Sequence, residues 1–278
     1  MKHFRPPRAA LLGALSLVVA SPSQAAAQTI VLASTTSLQD SGLFARILPL
    51  FTAETGIEVH VVAQGTGQAL ATASHGDADL VLVHDPDAEA AFIAAGHGAS
   101  RTEIAWNDFV IVGPSADPAH VRGGNDSVTA LKAIAAAQAP FVSRGDKSGT
   151  NAAELRLWKA AGFAPDTLNA DKWYRDIGGG MGQALNAASA MNAYTLSDRG
   201  TWLSFNNKGS LVITIEGDSR LINRYDVIEL NPQKHSGAKL DDARVFADWL
   251  VSTEGQQAIG AYQVNGEKLF NPSAASPK

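Results

Sequence analysis

The chain has 278 residues, 45% of them hydrophobic, no cysteine and a formal net charge of −5 at pH 7. This composition excludes a disordered or fibrous protein, and the lack of cysteine excludes disulfides, thiolate metal sites, a cysteine nucleophile and a lipid attached through an N-terminal cysteine. The acidic balance argues against general nucleic-acid binding, so any bound anion must be held by a local set of donors.

The first 27 residues have the features of a secretory signal peptide. Lys2, Arg5 and Arg8 precede the apolar stretch AALLGALSLVVA, and the small residues of SPSQAAAQ follow it. The apolar stretch is shorter than the roughly 20 residues that a membrane span requires. We predict that residues 1–27 are removed on export to the periplasm, which leaves a soluble protein. Loss of three basic residues changes the formal charge from −5 to about −8 (−5 − 3).

Strand-like and helix-like segments alternate along the remaining chain, which predicts an α/β fold with mainly parallel sheets. The first series comprises strand TIVLAS, helix GLFARILPLFTAETG, strand EVHVVAQ, helix GQALATASHG and strand ADLVLVH. The second series comprises helix VTALKAIAAAQ, strand APFVSRG, helices GTNAAELRLWKAAG and MGQALNAASAMN, and strand AYTLSD.

Two apolar runs, FVIVGP and YDVIELNP, lie far apart in the chain, and each ends in a proline. We interpret them as two crossings between a pair of lobes, because they flank the second α/β series. Lobe I would then consist of residues 28–113 plus 223–278, and lobe II of residues 114–222.

An internal repeat supports two similar lobes. GTGQALATAS (65–74) and GMGQALNAAS (180–189) agree at seven of ten positions, and each is a glycine-rich turn that leads into a helix. Helix-start chemistry in an alanine-rich chain is the alternative explanation. If the repeat is structural, two helix N-termini face one another across a cleft.

Three stretches combine a strand end, glycine or hydroxyl residues and an immediate helix: ASTTSLQDSG, QGTGQAL and SRGDKSGTN. A helix N-terminus offers unpaired backbone N–H groups and partial positive charge, so it suits an anion. Arg144 adds a forked cation, with Asp146 placed to orient it. These features predict a site for a small tetrahedral oxyanion. The alternatives are ordinary helix caps for the first stretch and a solvated charged loop for the third.

An enzymatic site has little support. The chain has no G-x-S-x-G, no H-E-x-x-H and no dinucleotide-binding fingerprint. His84, Asp85, Asp87 and Glu89 in VHDPDAE hint at a metal site, but a strand end that runs into a solvated helix start is the favoured interpretation. We predict no enzyme activity, no cofactor and no metal.

The identity of the anion depends on proton donors and acceptors. Phosphate keeps a proton at neutral pH, so a phosphate site profits from a buried carboxylate, which would repel a fully deprotonated oxyanion. Asp85 is the residue that could serve as such an acceptor if it faces the cleft.

The motifs together resemble the periplasmic tungstate-binding proteins of ABC uptake systems, the TupA family. The resemblance rests on LASTTSLQDSGLFARILPLFTAETGIEV, GTGQAL, DADLVLVHDPDAEAAF, NDFVIVGP, SRGDKSGTNAAELRLW, GGGMGQALNAA and YTLSDRGTW, in order from about residue 29 to 270. It implies a type II periplasmic binding protein, with two α/β lobes joined by two crossing strands and the oxyanion between them. It also implies a membrane permease and an ATPase as partners.

The resemblance carries individual residues to the oxyanion site. The family's TTTS loop is Ser34-Thr35-Thr36-Ser37 here, with serine at its first position. The expected oxyanion-binding residues are Thr36, Ser37, Thr66, Arg144, Ser148, Gly149, Thr150, Met181, Gly182 and Thr195. We therefore expect a monomeric receptor for tungstate, with molybdate as a weaker ligand. The two ions have nearly the same size and charge, so donor count does not separate them, and the choice of tungstate rests on the resemblance alone. A molybdate or phosphate receptor is the alternative within the class, and an anion-binding sensor domain or a phosphate-handling hydrolase is the alternative outside it.

Overall fold

The computed structural model describes Met1 and residues 28–168 and 172–273. The predicted signal peptide therefore lies outside the described residues, apart from Met1. The strands are β1 (Gln28–Thr35), β2 (Ile57–Gln64), β3 (Leu80–Val83), β4 (Gly98–Pro114), β5 (Phe141–Ser143), β6 (Tyr174–Asp176), β7 (Tyr194–Asp198), β8 (Leu211–Ile215), β9 (Ile222–Leu230), β10 (Gln263–Val264), β11 (Glu267–Lys268) and β12 (Asn271–Pro272).

The helices are α1 (Thr36–Asp40), α2 (Leu43–Thr55), α3 (Thr66–His75), α4 (Pro86–Ala94), α5 (Ser127–Ala136), α6 (Gly149–Ala160), α7 (Pro165–Leu168), α8 (Met181–Met191), α9 (Arg199–Ser204), α10 (Leu240–Val251) and α11 (Thr253–Gly260). Within the described ranges, no helix is both long enough and apolar enough to cross a membrane.

The elements predicted from periodicity are confirmed, with boundaries shifted by at most two residues. Helix α2 buries Leu43, Phe44, Ile47 and Phe51 along one face, and it ends where Gly56 adopts a φ of 74°. Strand β3 buries all four of its residues, as a strand covered on both faces should. The patterns did not predict β6, β8 or the helices α9 to α11.

The main sheet is mixed, which differs from the mainly parallel arrangement expected from the sequence. Its strands follow the order β2-β1-β3-β9-β4-β7-β5-β6, with β8 and β12 also paired to β4. Strand β1 pairs in parallel with β2 and β3, and β5 pairs in parallel with β6 and β7. Strands β4 and β9 run antiparallel to their neighbours, because they return the chain between the two parallel groups.

Strand β4 is the longest, and it pairs with different partners along its length. Its first part pairs with β9, from Gly98 opposite Leu230 to Asp108 opposite Ile222. Its last part, which contains the FVIVGP run, pairs with β7 and β8. The YDVIELNP run begins inside β9. Both predicted crossing segments therefore belong to one antiparallel pair of strands in the middle of the sheet.

Buried side chains form four clusters that fall into two groups. Two clusters draw on residues between 30 and 105 and between 225 and 270, and the other two on residues between 109 and 221. The predicted lobe boundaries, 28–113 plus 223–278 and 114–222, remain a proposal. Phe109 and Val112 of β4 pack with the second group.

The carboxyl ends of the parallel strands lead directly into helices. Strand β1 continues into α1, β2 reaches α3 through Gly65, and β7 continues into α9. The loop 144–148 connects β5 with α6. Ligands of open α/β sheets bind beyond the carboxyl ends of strands, so we expect a ligand site near these four helix starts.

Candidate functional site

A cavity of about 420 Å³ lies where these helix starts meet. Its walls come from both parts of the chain that carry these core clusters. The first part contributes Thr36, Ser37, Asp40 and Gly65, and the second contributes Arg144, Asp146, Gly180, Met181, Gly182, Thr201 and Ser204. Backbone N–H groups in the first turn of a helix have no intrahelical partner, so such groups are available to a ligand wherever no N-cap side chain occupies them.

The internal repeat supplies two of these helix starts. Gly65 precedes α3 and Gly180 precedes α8, and both N-cap glycines have extended backbone angles, φ −70° and ψ 150° against φ −69° and ψ 171°. Neither helix has an N-cap side chain that occupies its first-turn N–H groups, because glycine has none. The repeat is therefore a pair of equivalent helix N-termini on the two sides of one cavity.

Arg144 is the only cationic side chain among the described residues that line the cavity. It is 3% exposed, donates from Nη2 to Asp146 Oδ2 at 2.5 Å and donates from Nη1 to Thr150 Oγ1 at 3.3 Å. This burial contradicts the alternative of a solvated charged loop for residues 143–151. Asp146 orients the guanidinium, as the sequence suggested.

Two buried polar atoms near the cavity have no hydrogen-bond partner. They are Arg144 Nε and Thr66 Oγ1; Ser273 Oγ is the third such side-chain atom in the described part of the chain. Thr66 follows the cavity residue Gly65 and is 2% exposed. Unpaired buried donors are costly, and an acceptor-rich ligand would complete them.

The other expected residues lie behind the cavity wall. Ser148 caps α6 by accepting from the N–H of Asn151 at 3.2 Å, and Thr150 accepts from Arg144. Gly149 opens α6 and lies against the His84 ring. Thr195 is buried within β7 and donates to the Leu196 carbonyl at 3.5 Å. The prediction that these four contact an anion remains a prediction.

The start of α9 contributes residues that the sequence did not single out. Asp198 is the N-cap and accepts from both the N–H and the hydroxyl of Thr201, at 2.8 and 2.7 Å, while Thr201 and Ser204 line the cavity. Burial raises the pKa of Asp198, which the bonds from Thr201 and the nearby Arg144 oppose. The D-R-G-T spacing in SDRGTW is a capping pattern that could have identified Thr201.

The VHDPDAE stretch begins a helix, as favoured from the sequence, but His84, Asp85 and Glu89 are buried, so the expectation that this helix start is solvated was wrong. Asp85 is the N-cap of α4 and accepts from the Asp87 N–H at 3.3 Å. It also accepts from Arg156 Nη1 at 2.8 Å and is absent from the cavity wall. Among the described residues, no group of three or more His, Cys, Asp or Glu side chains is arranged to hold a metal.

A buried carboxyl group supports the Arg144 loop from inside the core. Glu154 of α6 accepts from Tyr174 Oη at 2.7 Å, Ser143 Oγ at 2.8 Å and Trp158 Nε1 at 3.2 Å. Asn151 joins this network by donating to Ser143 Oγ at 3.2 Å. Burial raises the pKa of Glu154 from 4.5 to about 7, although these hydrogen bonds lower it.

Glu154→Gln is expected to change how stability depends on pH. Because the folded state holds the Glu154 proton more tightly than the unfolded state, its stabilising contribution is complete below about pH 4.5 and is lost as the pH rises through about 7. Glutamine does not titrate, and its oxygen can still accept from Tyr174 and Trp158. The loss of unfolding free energy between about pH 4.5 and 8 should therefore be smaller in the variant, by on the order of 3 kcal/mol. Urea unfolding at both pH values measures this difference, and identical pH dependence in both proteins would contradict it.

Comparison with known proteins gives consistent results along the chain. A family model described as a PBP superfamily domain matches residues 20–254. The chain is 45% identical over 251 residues to the tungstate-binding protein TupA of Peptoclostridium acidaminophilum, which covers 89% of this chain and 86% of that protein.

Two solved structures have similar folds. One is the tungstate-binding protein TupA from Desulfovibrio alaskensis G20, with a TM-score of 0.79 and 42% identity, covering 90% of this chain and 100% of that one. The other is described as the tungstate ABC transporter from Geobacter sulfurreducens, with a TM-score of 0.75 and 42% identity, covering 84% and 98%.

Proposed function

This chain belongs to the TupA family of tungstate-binding proteins within the PBP superfamily, and from this premise we propose that it captures tungstate in the interlobe cavity and delivers it to an ABC importer. It has the fold of a type II periplasmic binding protein. One observation carries the proposal: two equivalent helix N-termini and one buried arginine meet at a single cavity.

The donor set suits a dianion whose four oxygens all accept hydrogen bonds. Asp146 already compensates much of the Arg144 charge, so we propose that neutral N–H and hydroxyl donors provide most of the hydrogen bonds. We propose that the anion also completes the hydrogen bonding of Arg144 Nε and of Thr66 Oγ1.

We propose separate roles for the expected site residues. Those that line the cavity would touch the anion: Thr36, Ser37, Arg144, Met181 and Gly182. Those behind the wall would hold the elements that present these donors: Ser148, Gly149, Thr150 and Thr195. Thr201 and Ser204, which the sequence did not indicate, join the first group in this proposal.

The carboxylates near the cavity favour a fully deprotonated anion over phosphate. A phosphate proton needs a free buried acceptor. Asp85 is engaged by Arg156, and Asp146 is engaged by Arg144. Asp40, the other acidic residue among the described cavity-lining residues, is exposed to solvent. None of these three carboxylates is a free buried acceptor, and the buried Asp198 already accepts from the N–H and the hydroxyl of Thr201, which supports tungstate over phosphate.

The biological setting is part of the same proposal. We infer that the protein acts in the periplasm as a monomer, binds molybdate more weakly than tungstate and passes its ligand to a permease driven by an ATPase. The lobes, residues 28–113 plus 223–278 and 114–222, would close around the anion because its donors come from both. We propose a binding function without a catalytic step, in keeping with relatives that are named for tungstate binding.

Isothermal titration with tungstate, molybdate, sulfate and phosphate tests the proposal. We expect saturable binding of one tungstate per chain, weaker binding of molybdate, and binding of phosphate at least about 100-fold weaker, which corresponds to roughly 2.7 kcal/mol. Tighter binding of phosphate than of tungstate would replace the proposal with a phosphate receptor. Turnover of a phosphate ester, assayed in parallel, would favour the hydrolase instead.

A further inference from the structure

A line of hydrogen bonds joins the α1 start to the crossing strands β4 and β9. Thr35 Oγ1 lies 3.2 Å from Ser37 Oγ, which lies 3.0 Å from Nε2 of His84. On the other side of the same ring, Nδ1 lies 2.9 Å from Asn223 Oδ1. The His84 ring is 3% exposed, so water does not compete for these contacts.

The contacts of Asn223 determine which nitrogen of His84 carries hydrogen. The Nδ2 group of Asn223 donates to Asn107 Oδ1 and to Tyr225 Oη, both at 2.8 Å. Both amide hydrogens are therefore used, and the oxygen that faces His84 can only accept. Nδ1 of His84 must donate to it.

The environment of the ring keeps it neutral. Burial lowers the pKa of His84 from 6.5 to about 4, and the cations Arg144 and Arg156 lower it further, while the bond to Asn223 and the charge of Asp85 act in the opposite direction. A neutral imidazole has one hydrogen bound to nitrogen, and in His84 that hydrogen is on Nδ1. Nε2 is then an acceptor, and the Ser37 hydroxyl donates to it.

Building on the proposed function, we propose that His84 is a positioning residue for the tungstate loop: it takes the only hydrogen of the Ser37 hydroxyl, so that Ser37 serves the anion through its backbone N–H. Thr35 then donates to Ser37 Oγ, since that oxygen has no hydrogen left to give. The loop is fixed to β9 through Asn223, and through Asn107 to β4.

The His84 ring also packs against residues of two other elements. Its plane lies against Tyr225, with ring centroids 5.0 Å apart. A Cβ atom added to Gly149 would lie 2.5 Å from its Cε1. The ring therefore contacts the α1 loop, the crossing strand β9 and the start of α6 at the same time.

Nitrogen-15 NMR of histidine-labelled protein locates the hydrogen without any ligand. We expect the His84 signal, identified by its loss in His84→Gln, to show a protonated Nδ1 and an unprotonated Nε2 at neutral pH. A protonated Nε2 would overturn the inference, because Ser37 would then accept from His84 and keep its hydrogen for the anion.

Tungstate titration of three single variants and one double variant tests the functional consequence. Ser37→Ala and His84→Asn remove the same hydrogen bond, so we expect each to weaken tungstate binding by a similar factor and the double variant to lose no more than either alone. A Ser37 hydroxyl that donated to the dianion would instead add a further loss of roughly tenfold in the double variant. His84→Gln can place an oxygen where Nε2 lies, and His84→Asn can reach only the position of Nδ1. We expect His84→Asn to bind at least about fivefold more weakly than His84→Gln, with similar losses of thermal stability in both.

Equal tungstate affinities in the two His84 variants would refute the positioning role, since both lose the same ring. The wild-type titration separates this inference from the function on which it rests. If wild type bound no tungstate, the proposed function would fail, and the NMR spectrum would still decide where the hydrogen lies. If wild type bound tungstate but Nε2 carried the hydrogen, only the inference would fail.

Discussion

Arg144→Ala is expected to weaken tungstate binding more than any other single substitution in the cavity. The guanidinium is 3% exposed, its Nε has no partner, and among the described cavity residues it is the sole cation. Hydrogen bonds to charged groups contribute about 1.5 to 3 kcal/mol each, which corresponds to a loss of roughly 10- to 150-fold. The loss should lie at the upper end, because the Asp146 carboxylate would lose its cationic partner and would repel the anion.

Three comparison variants identify the cause of the loss. Arg144→Lys should restore binding only in part, because an ammonium group cannot reproduce the planar fork. Thr36→Val and Ser148→Ala should each cost less than Arg144→Ala, since neighbouring N–H groups remain. The double variant Arg144→Ala with Asp146→Ala should bind tungstate more tightly than Arg144→Ala alone, because it also removes the carboxylate that lost its cationic partner. All are measured by isothermal titration with tungstate.

A small effect of Arg144→Ala would contradict the site as described. If the variant bound tungstate within about threefold of wild type, a difference under roughly 1 kcal/mol, the guanidinium would not contact the anion. Arg144 would then be a structural residue of the β5–α6 loop.

Gly149→Ala is expected to give the second large loss of tungstate affinity, because the added methyl group would clash with His84. A Cβ atom at this first residue of α6 would lie 2.5 Å from His84 Cε1, 2.9 Å from Nδ1 and 3.0 Å from Nε2. His84 cannot turn away without breaking its contacts with Ser37 and Asn223. Helix α6 must therefore shift, which separates the donors on the two sides of the cavity.

We expect Gly149→Ala to weaken tungstate binding at least about tenfold and to lower the free energy of unfolding by about 1 to 3 kcal/mol. Gly67→Ala is the matched control, because Gly67 lies in the first turn of α3 and a Cβ there meets nothing within 4 Å. That control should bind normally and unfold at equal or slightly higher urea concentration. Wild-type affinity in Gly149→Ala would show that the contact between α6 and His84 does not affect the cavity.

Much of the fold and part of the site could be predicted from the chain alone. Hydrophobic patterning identified α2 and β3, because a helix that buries one face repeats its apolar residues with the helical period, and a strand covered on both faces is a continuous apolar run. The repeat of 65–74 at 180–189 predicted two facing helix N-termini, and the structure has both at the cavity. The contact between Arg144 and Asp146 could be predicted because two residues that are only two positions apart lie within reach of each other.

Other features required the tertiary structure, for a common physical reason. Asp85 is engaged by Arg156, 71 residues later in the chain, and no local spacing predicts that contact. Ser148 and Thr195 have the right chemistry for an anion, but the first caps its own helix and the second is enclosed between paired strands. Local sequence determines which donors exist and which helix starts carry them. The register of β4 against β7 and β9 determines which donors reach the cavity, because long-range pairing orients the elements relative to one another.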